Sequence, residues 1–190
     1  EGDIFLGLKV PEVRNIAKKY AYLSFPELQE LLNSKIHEER FIALVILTLQ
    51  YKKAKKDSMM RRRIFDFYLK NTCNINNWDL VDTSAPNIIG EFLQKENYGI
   101  LRELAKSPNL WERRIAVLST FPFIRKKNFG ETLAISEMLM KDEHDLIHKA
   151  VGWGLREVGK KNKGVLEIFL QQRYKEMPRT MLRYAIEKFP

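Results

Sequence analysis

Seven side chains, Trp78, Asp82, Arg114, Lys149, Trp153, Arg156 and Arg183, are of types that could do chemistry together. A carboxylate can stabilise developing positive charge and hold a water. Guanidinium and ammonium groups take phosphate oxygens, and indole faces stack on sugars or bases and attract cations. A lone acid among cations and flat rings therefore suggests a surface that meets nucleic acid. Asp79 lies close to Asp82 in sequence, yet the two are about 60° of helix turn apart if counted from a shared frame, and like charges side by side would disturb one another. Asp82 is the better working group and Asp79 the better structural hydrogen bonder. His144 and His148 sit at i,i+4 and could hold a metal, but no third ligand is in frame, so a structural role is expected.

These residues must be positioned by helices. Apolar residues recur at three- and four-residue steps in Phe41–Leu47, Arg113–Leu118 and Ala150–Arg156. Stops are expected at Ser107-Pro108-Asn109, Phe121-Pro122 and Gly164. No strand alternation and no Asn-Gly hairpin signal is present. Ser34–Ala43 superposes on Ser107–Ala116 without a gap, each reading Ser, five residues, then Arg-X-Ile-Ala. The same frame laid at Asn71, Asp142 and Glu176 gives starts at 34, 71, 107, 142 and 176, the length of a helix–turn–helix repeat. The expected fold is all-α: an α-solenoid of HEAT-like helix–turn–helix repeats with a concave basic groove. It forms a single domain over 1–190, with repeats near 1–33, 34–70, 71–106, 107–141, 142–175 and 176–190.

The frame separates two faces of the second helix of each repeat. Offset 9 from each start holds Ala43, Leu80, Ala116, Val151 and Ala185, an apolar and mostly small set suited to close packing. Offsets 7, 11 and 14 fall within about 60° of one another on the far side. They hold Phe41, Val45 and Thr48; Trp78 and Asp82; Arg114 and Leu118; Lys149, Trp153 and Arg156; Arg183 and Glu187. The competing reading has the tryptophans capping the core and the arginines pairing with acids such as Glu112 or Glu157. One register shared by the set favours a groove.

Composition narrows the classes. The 190 residues carry 33 Lys+Arg against 24 Asp+Glu, a formal charge of +9, with 45% hydrophobic residues. A packed core is expected rather than disorder. The longest apolar run, Phe41 to Leu47, is far short of the ~20 residues a membrane helix needs. Cys73 is the single cysteine, so no internal disulfide can form. Lys52, Lys53, Lys55, Lys56 and Arg61 to Arg63 make the densest cationic cluster, with Arg125, Lys126 and Lys127 a smaller one; both fall at apparent inter-helix turns. The chain opens Glu-Gly-Asp without Met, so further N-terminal residues are expected upstream. A reducing, cytoplasmic setting follows, nucleoid-associated in a bacterium.

Asn77-Trp-Asp-Leu-Val-Asp82, Trp111-Glu-Arg-Arg114 and Gly152-Trp-Gly-Leu-Arg156 resemble the DNA alkylation repair glycosylases of the AlkD type. The resemblance runs from Gly7–Arg14 to Tyr184–Pro190. It implies an α-solenoid that wraps duplex DNA and removes N3- and N7-alkylated purines carrying a positive charge. Asp82 would match the catalytic aspartate, Trp78 and Trp153 the aromatics flanking the lesion's sugar, and Arg114 and Arg156 the arginines holding the backbone. Family members begin with further helices and an aromatic that reaches the lesion, and Phe41 is the residue here that could line that end. Lys149 and Arg183 join the DNA contacts by register. The expected protein needs no cofactor or metal, touches no membrane and acts as a monomer on duplex DNA. Two other functions compete: a non-catalytic helical-repeat protein gripping structured or branched DNA, and a protein-interaction scaffold. Asp82 in register favours the enzyme over the first. Several cations around a single acid argue against the second, whose groove would expose more apolar surface.

Overall fold

Helices begin where the repeat frame puts them. In the computed structural model, which describes residues 2–93 and 98–189, α1 is Val10–Lys19, α2 Phe25–Leu32, α3 His37–Lys53, α4 Ser58–Lys70, α5 Trp78–Ser84 and α6 Glu91–Leu93. Then come α7 Gly99–Ala105, α8 Leu110–Leu118, α9 Phe121–Arg125, α10 Gly130–Met138, α11 Asp145–Lys161, α12 Lys163–Arg173 and α13 Arg179–Ile186. The frames starting at 34, 107, 142 and 176 each open a helix three residues later. The frame at 71 opens its helix at Trp78, because a single 3₁₀ turn, Thr72–Asn74, intervenes. That repeat also crosses residues 94–97, which lie outside the described set. Among the described residues the one β feature is an isolated bridge between Ile4 and Ile36.

The all-α repeat fold holds, with two corrections of detail. The helix carrying offsets 7 to 14 is the first of each frame rather than the second. Phe121-Pro122 and Gly164 begin helices rather than end them: each falls in a first turn, where the missing proline N–H has no partner to lose.

The two copies of the Ser-x₅-Arg motif share a physical cause. Ser34 Oγ accepts the Ile36 N–H at 3.0 Å, and Ser107 Oγ accepts the Asn109 N–H at 3.0 Å. Arg40 donates back to the Ser34 carbonyl at 2.7 Å, and Arg113 to that of Ser107 at 3.0 Å. Each motif thus fastens the turn entering its helix to the helix's own first turns. Each arginine also meets an acid, Asp3 at 2.6 Å for Arg40 and Asp142 at 2.6 Å for Arg113.

The chain divides into two compact units, Glu1–Phe92 and Leu93–Pro190. In the first, α3 is the central helix, packed by α1, α2, α4 and α5. Its Phe41–Leu47 run is apolar all round, as a helix enclosed by neighbours must be, and Ala43, Leu44, Ile46 and Leu47 are buried. Val13 and Ala17 of α1, Leu28 and Leu32 of α2, Ile64 and Tyr68 of α4, and Leu80 and Val81 of α5 join this core. Each large side chain so buried contributes about 1.5–3 kcal/mol. In the second unit α11 takes the central place, packed by α8, α9, α10, α12 and α13. All five offset-9 residues are buried. Gly152 shows how close the packing is: a Cβ there would lie 2.5 Å from the Tyr184 Cβ and 2.6 Å from the Met181 carbonyl oxygen, so only glycine lets α11 and α13 meet.

Residues before α1 dock on the start of α3. Ile4 and His37 exchange with this edge through Ile4 N–H to Lys35 O at 3.0 Å and His37 N–H to Ile4 O at 2.9 Å. Glu38, buried, accepts the Leu6 N–H at 2.9 Å and the Gly7 N–H at 2.8 Å. Burial alone would push its carboxyl up. The amides of Leu6, its own residue, Gly7 and Leu8 outweigh burial and hold it below the usual 4.5. A folded value below the unfolded one gives stability that is complete above the unfolded value and is lost as pH falls through the folded one. Glu38→Gln is therefore expected to lower stability by about 1–3 kcal/mol at neutral pH. It should also flatten the decline of Tm below about pH 4.5, as read in melts across pH.

Candidate functional site

Asp82 sits on a helix fastened at both ends. At its start, Asn77 caps α5 by accepting the Trp78 N–H at 2.7 Å, and Asp79 accepts the Leu80 N–H at 2.8 Å. The other Asp79 oxygen accepts from buried His37 Nε2 at 2.8 Å. At its end, Ser84 Oγ donates to the Leu80 carbonyl at 2.6 Å and lies 2.9 Å from the Tyr68 hydroxyl, both side chains fully buried. Burial pushes the Tyr68 phenol well up, the Ser84 hydrogen bond pulls it back, and the Asp82 charge pushes the same way as burial. Pro86 then has no N–H for the Asp82 carbonyl, and the chain widens into a π turn, Pro86–Gly90, with Gly90 N–H reaching Ala85 O at 3.0 Å. Asp79 is thus the structural acid, and Asp82, three residues on, is also half-buried.

Around Asp82 lies an open cleft of about 470 Å³. Val45 and Thr48 of α3 line it, as their shared register with Asp82 predicts, together with Thr83 and Asn87. Arg14 and Lys18 of α1 and Lys52 of α3 bring three cations to the same walls. Trp78, one turn before Asp82, is 55% exposed, with its ring open to a ligand. Phe41 does not line this end. It is buried, its ring 6.3 Å from that of His37, because α3 is enclosed at that point.

Arg14 and Lys18 were not legible as site residues. A signal was present: Val13 and Ala17 are the buried face of α1, so Arg14 and Lys18 at i,i+4 form a basic stripe beside it. Like charges so spaced cost an isolated helix about 0.2–0.5 kcal/mol, which is a reason to ask what they serve. The Lys52–Arg63 cluster, expected to be one loop patch, is split. Lys52 and Lys53 end α3, whereas Arg61 stacks on Tyr51 (4.4 Å), Arg62 pairs with Asp66 (2.9 Å) and Arg63 lies over Phe25 (5.2 Å), all three on α4.

In the second unit α11 carries Lys149, Trp153 and Arg156, and α13, packed on it, carries exposed Arg183 over the Tyr184 ring. Trp153 is held edge-on to Phe121 at 4.8 Å, and its indole N–H donates to Glu157 at 3.2 Å, so its plane is fixed. Arg114 is only 5% exposed and donates to the Leu146 carbonyl in the first turn of α11 at 2.8 Å. Leu118, on the same helix face, is fully buried. Two cations meet acids. Lys149 pairs with Asp145 at 2.6 Å, which raises the ammonium and lowers the carboxyl, while Arg156 binds Glu187, with Glu157 at 3.9 Å. Neither histidine is held as a metal ligand would be. His144 caps α11 through Nδ1, which accepts the Leu146 N–H at 3.2 Å, and His148 hydrogen-bonds the Asp142 carbonyl.

Helix pairs repeated at this period, with acid, ring and cation on the exposed sides of α5 and α11, define a helical-repeat protein of the HEAT-like class. The family model for DNA alkylation repair enzymes matches residues 1–189, and the chain belongs to that family. Solved structures share the fold. A protein described as a predicted DNA alkylation repair enzyme from Enterococcus faecalis superposes with a TM-score of 0.73 at 16% identity, over 99% of this chain and 89% of that one. AlkD2 from Streptococcus mutans gives 0.67 at 23% identity over 97% and 91%. The smu.31 protein of Streptococcus mutans UA159 gives 0.65 at 23% over 95% and 92%. No functionally curated protein matches. Among the described residues, no helix is long and apolar enough to cross a membrane.

Proposed function

We propose that this member of the family hydrolyses the N-glycosidic bond of cationic N3- or N7-alkylated purines in duplex DNA, with Asp82 as the catalytic carboxylate. The observation that carries the reading is the placement of Asp82: half-buried, on a helix pinned at both ends, and opening into a cleft rather than into the core. An alkylated purine already bears a positive charge. When its bond to C1′ breaks, the electron pair goes to the purine, which leaves neutral and needs no general acid. The sugar left behind is oxocarbenium-like. A carboxylate beside it stabilises that charge and orients a water, whose oxygen bonds to C1′ while its proton passes to the carboxylate and on to solvent.

Trp78 offers an open ring face to the sugar or the cationic base. In the second unit, Trp153, Arg114, Lys149, Arg156 and Arg183 are proposed DNA contacts. Arg183 is exposed, whereas Lys149 and Arg156 would exchange Asp145 and Glu187 for phosphate. The geometry of Trp153, fixed by Phe121 and Glu157, suits a ring that stacks without reordering. No step calls for a metal or a cofactor.

Incubation of the protein with duplex containing 7-methylguanine is expected to release the free base above the rate in protein-free duplex. Tight binding of that duplex with no released base would favour the alternative, a DNA-binding repeat protein without chemistry.

A further inference from the structure

We infer that the cleft walled by Arg14, Lys18, Thr48 and Lys52 is a seat for a phosphodiester of the DNA strand whose sugar Asp82 faces. The inference rests on the proposed function only for the identity of the strand. The anion-binding character comes from the cleft itself. Three cations face one carboxylate there, and Arg14, Lys18 and Lys52 form no ion pair with any described residue. That separates them from Lys149, Arg156, Arg62 and Arg113, each of which has an acid in contact. The nearest acid on α1, Glu12, is taken up by the Lys9 N–H at 2.7 Å.

Thr48 adds an uncharged side chain to the same walls. It is 6% exposed, lines the cleft, and its hydroxyl has no hydrogen-bond partner. A helical threonine ordinarily returns its hydroxyl to a carbonyl one turn earlier, and a buried hydroxyl without a partner is costly. Its Oγ1 is shut off from solvent as it stands, and a turn about χ1, which exchanges Oγ1 with the methyl group, would present it to an anionic oxygen in the cleft. Two cations from α1 and one from α3 line the same cleft as Thr48, which is the composition of a phosphate site: charge for affinity, a neutral donor for position. A volume of about 470 Å³ admits one nucleotide-sized group.

The test is binding of an undamaged duplex followed by fluorescence anisotropy between about 50 and 200 mM salt, for the full chain and for the R14A/K18A/K52A variant. Loss of the cations that neutralise this one phosphodiester is expected to make the log–log salt slope shallower by about 0.9, and to weaken binding on the order of tenfold or more near 0.1 M salt. The charge-conserving R14K/K52R variant should keep the parental slope. Thr48→Val should weaken binding severalfold with the slope unaltered, because it removes a donor without charge. Thermal melts of each variant separate these effects from misfolding. A parental slope and affinity in the triple variant overturn the inference. So does saturable binding of inorganic phosphate that the triple variant loses while its DNA slope stays parental, which would assign the cleft to the free ion. Absence of base release from 7-methylguanine duplex by the parent would defeat the catalytic reading and leave a lost slope standing.

Discussion

Asp82→Asn is expected to bind alkylated duplex within about twofold of the parent and to release base on the order of a hundred- to a thousandfold more slowly. The two side chains have the same shape, so the packing of α5 and the cleft walls are preserved. What changes is one negative charge. Opposite charges about 4 Å apart attract by about 1 kcal/mol in water and about 4 kcal/mol at an effective dielectric near 20. Asp82 is half-buried on a wall of the cleft, and bound DNA would exclude more water, so the upper part of that range applies. Each 1.36 kcal/mol is tenfold in rate. The ground state gains less, because the charge of an alkylated purine is spread over its ring system and the sugar is not yet cationic. Single-turnover release at saturating protein isolates the chemical step. Unchanged rates would remove Asp82 from the mechanism, and an equal loss in binding and in rate would make it a binding residue only.

Much of the scaffold was legible because its physics is local and periodic. The Ser-x₅-Arg repeat could be seen in the sequence because it builds the same pair of hydrogen bonds twice, at Ser34 and at Ser107. The small apolar residues at offset 9 were legible because helices can approach closely only over such side chains, and Ala43, Ala116 and Ala185 are all buried. The separate role of Asp79 followed from its angle to Asp82, and its bond to His37 is of the expected kind. Other features depend on contacts between residues distant in sequence, which no local pattern encodes. Arg14 and Lys18 reach the Asp82 cleft because α1 lies along α3. Glu187 meets Arg156 because Gly152 brings α13 against α11. Proline misled at Phe121-Pro122, since the same residue that ends a helix also suits a first turn.

His37→Ala is expected to be the most destabilising single change near the site, and to damage the chemistry as well. The imidazole is 3% exposed, stacks on Phe5 with ring centroids 4.7 Å apart, and donates to Asp79 at 2.8 Å. Removing it takes away a hydrogen bond to a charged group, about 1.5–3 kcal/mol, and leaves the Asp79 oxygen short of a donor. It also opens a void among Phe5, Phe41 and the start of α3, for which losses of large side chains suggest a total of about 3–5 kcal/mol. For a chain of this length that is a fall in Tm of roughly 6–20 °C. Asp79 and Asp82 share α5, so loosening the first turn of that helix spreads the positions Asp82 can take. A displacement on the order of 1 Å can cost a hundredfold in rate. Mere loss of folded protein would lower the active fraction and leave the rate per active site intact. A positioning role lowers the rate per site at temperatures well below the melt, with binding of undamaged duplex preserved. His37→Gln, which can keep a donor to Asp79, should recover more of the rate than of the Tm, because the amide restores the hydrogen bond without refilling the aromatic stack. Equal recovery of both would mean that His37 acts through the core alone.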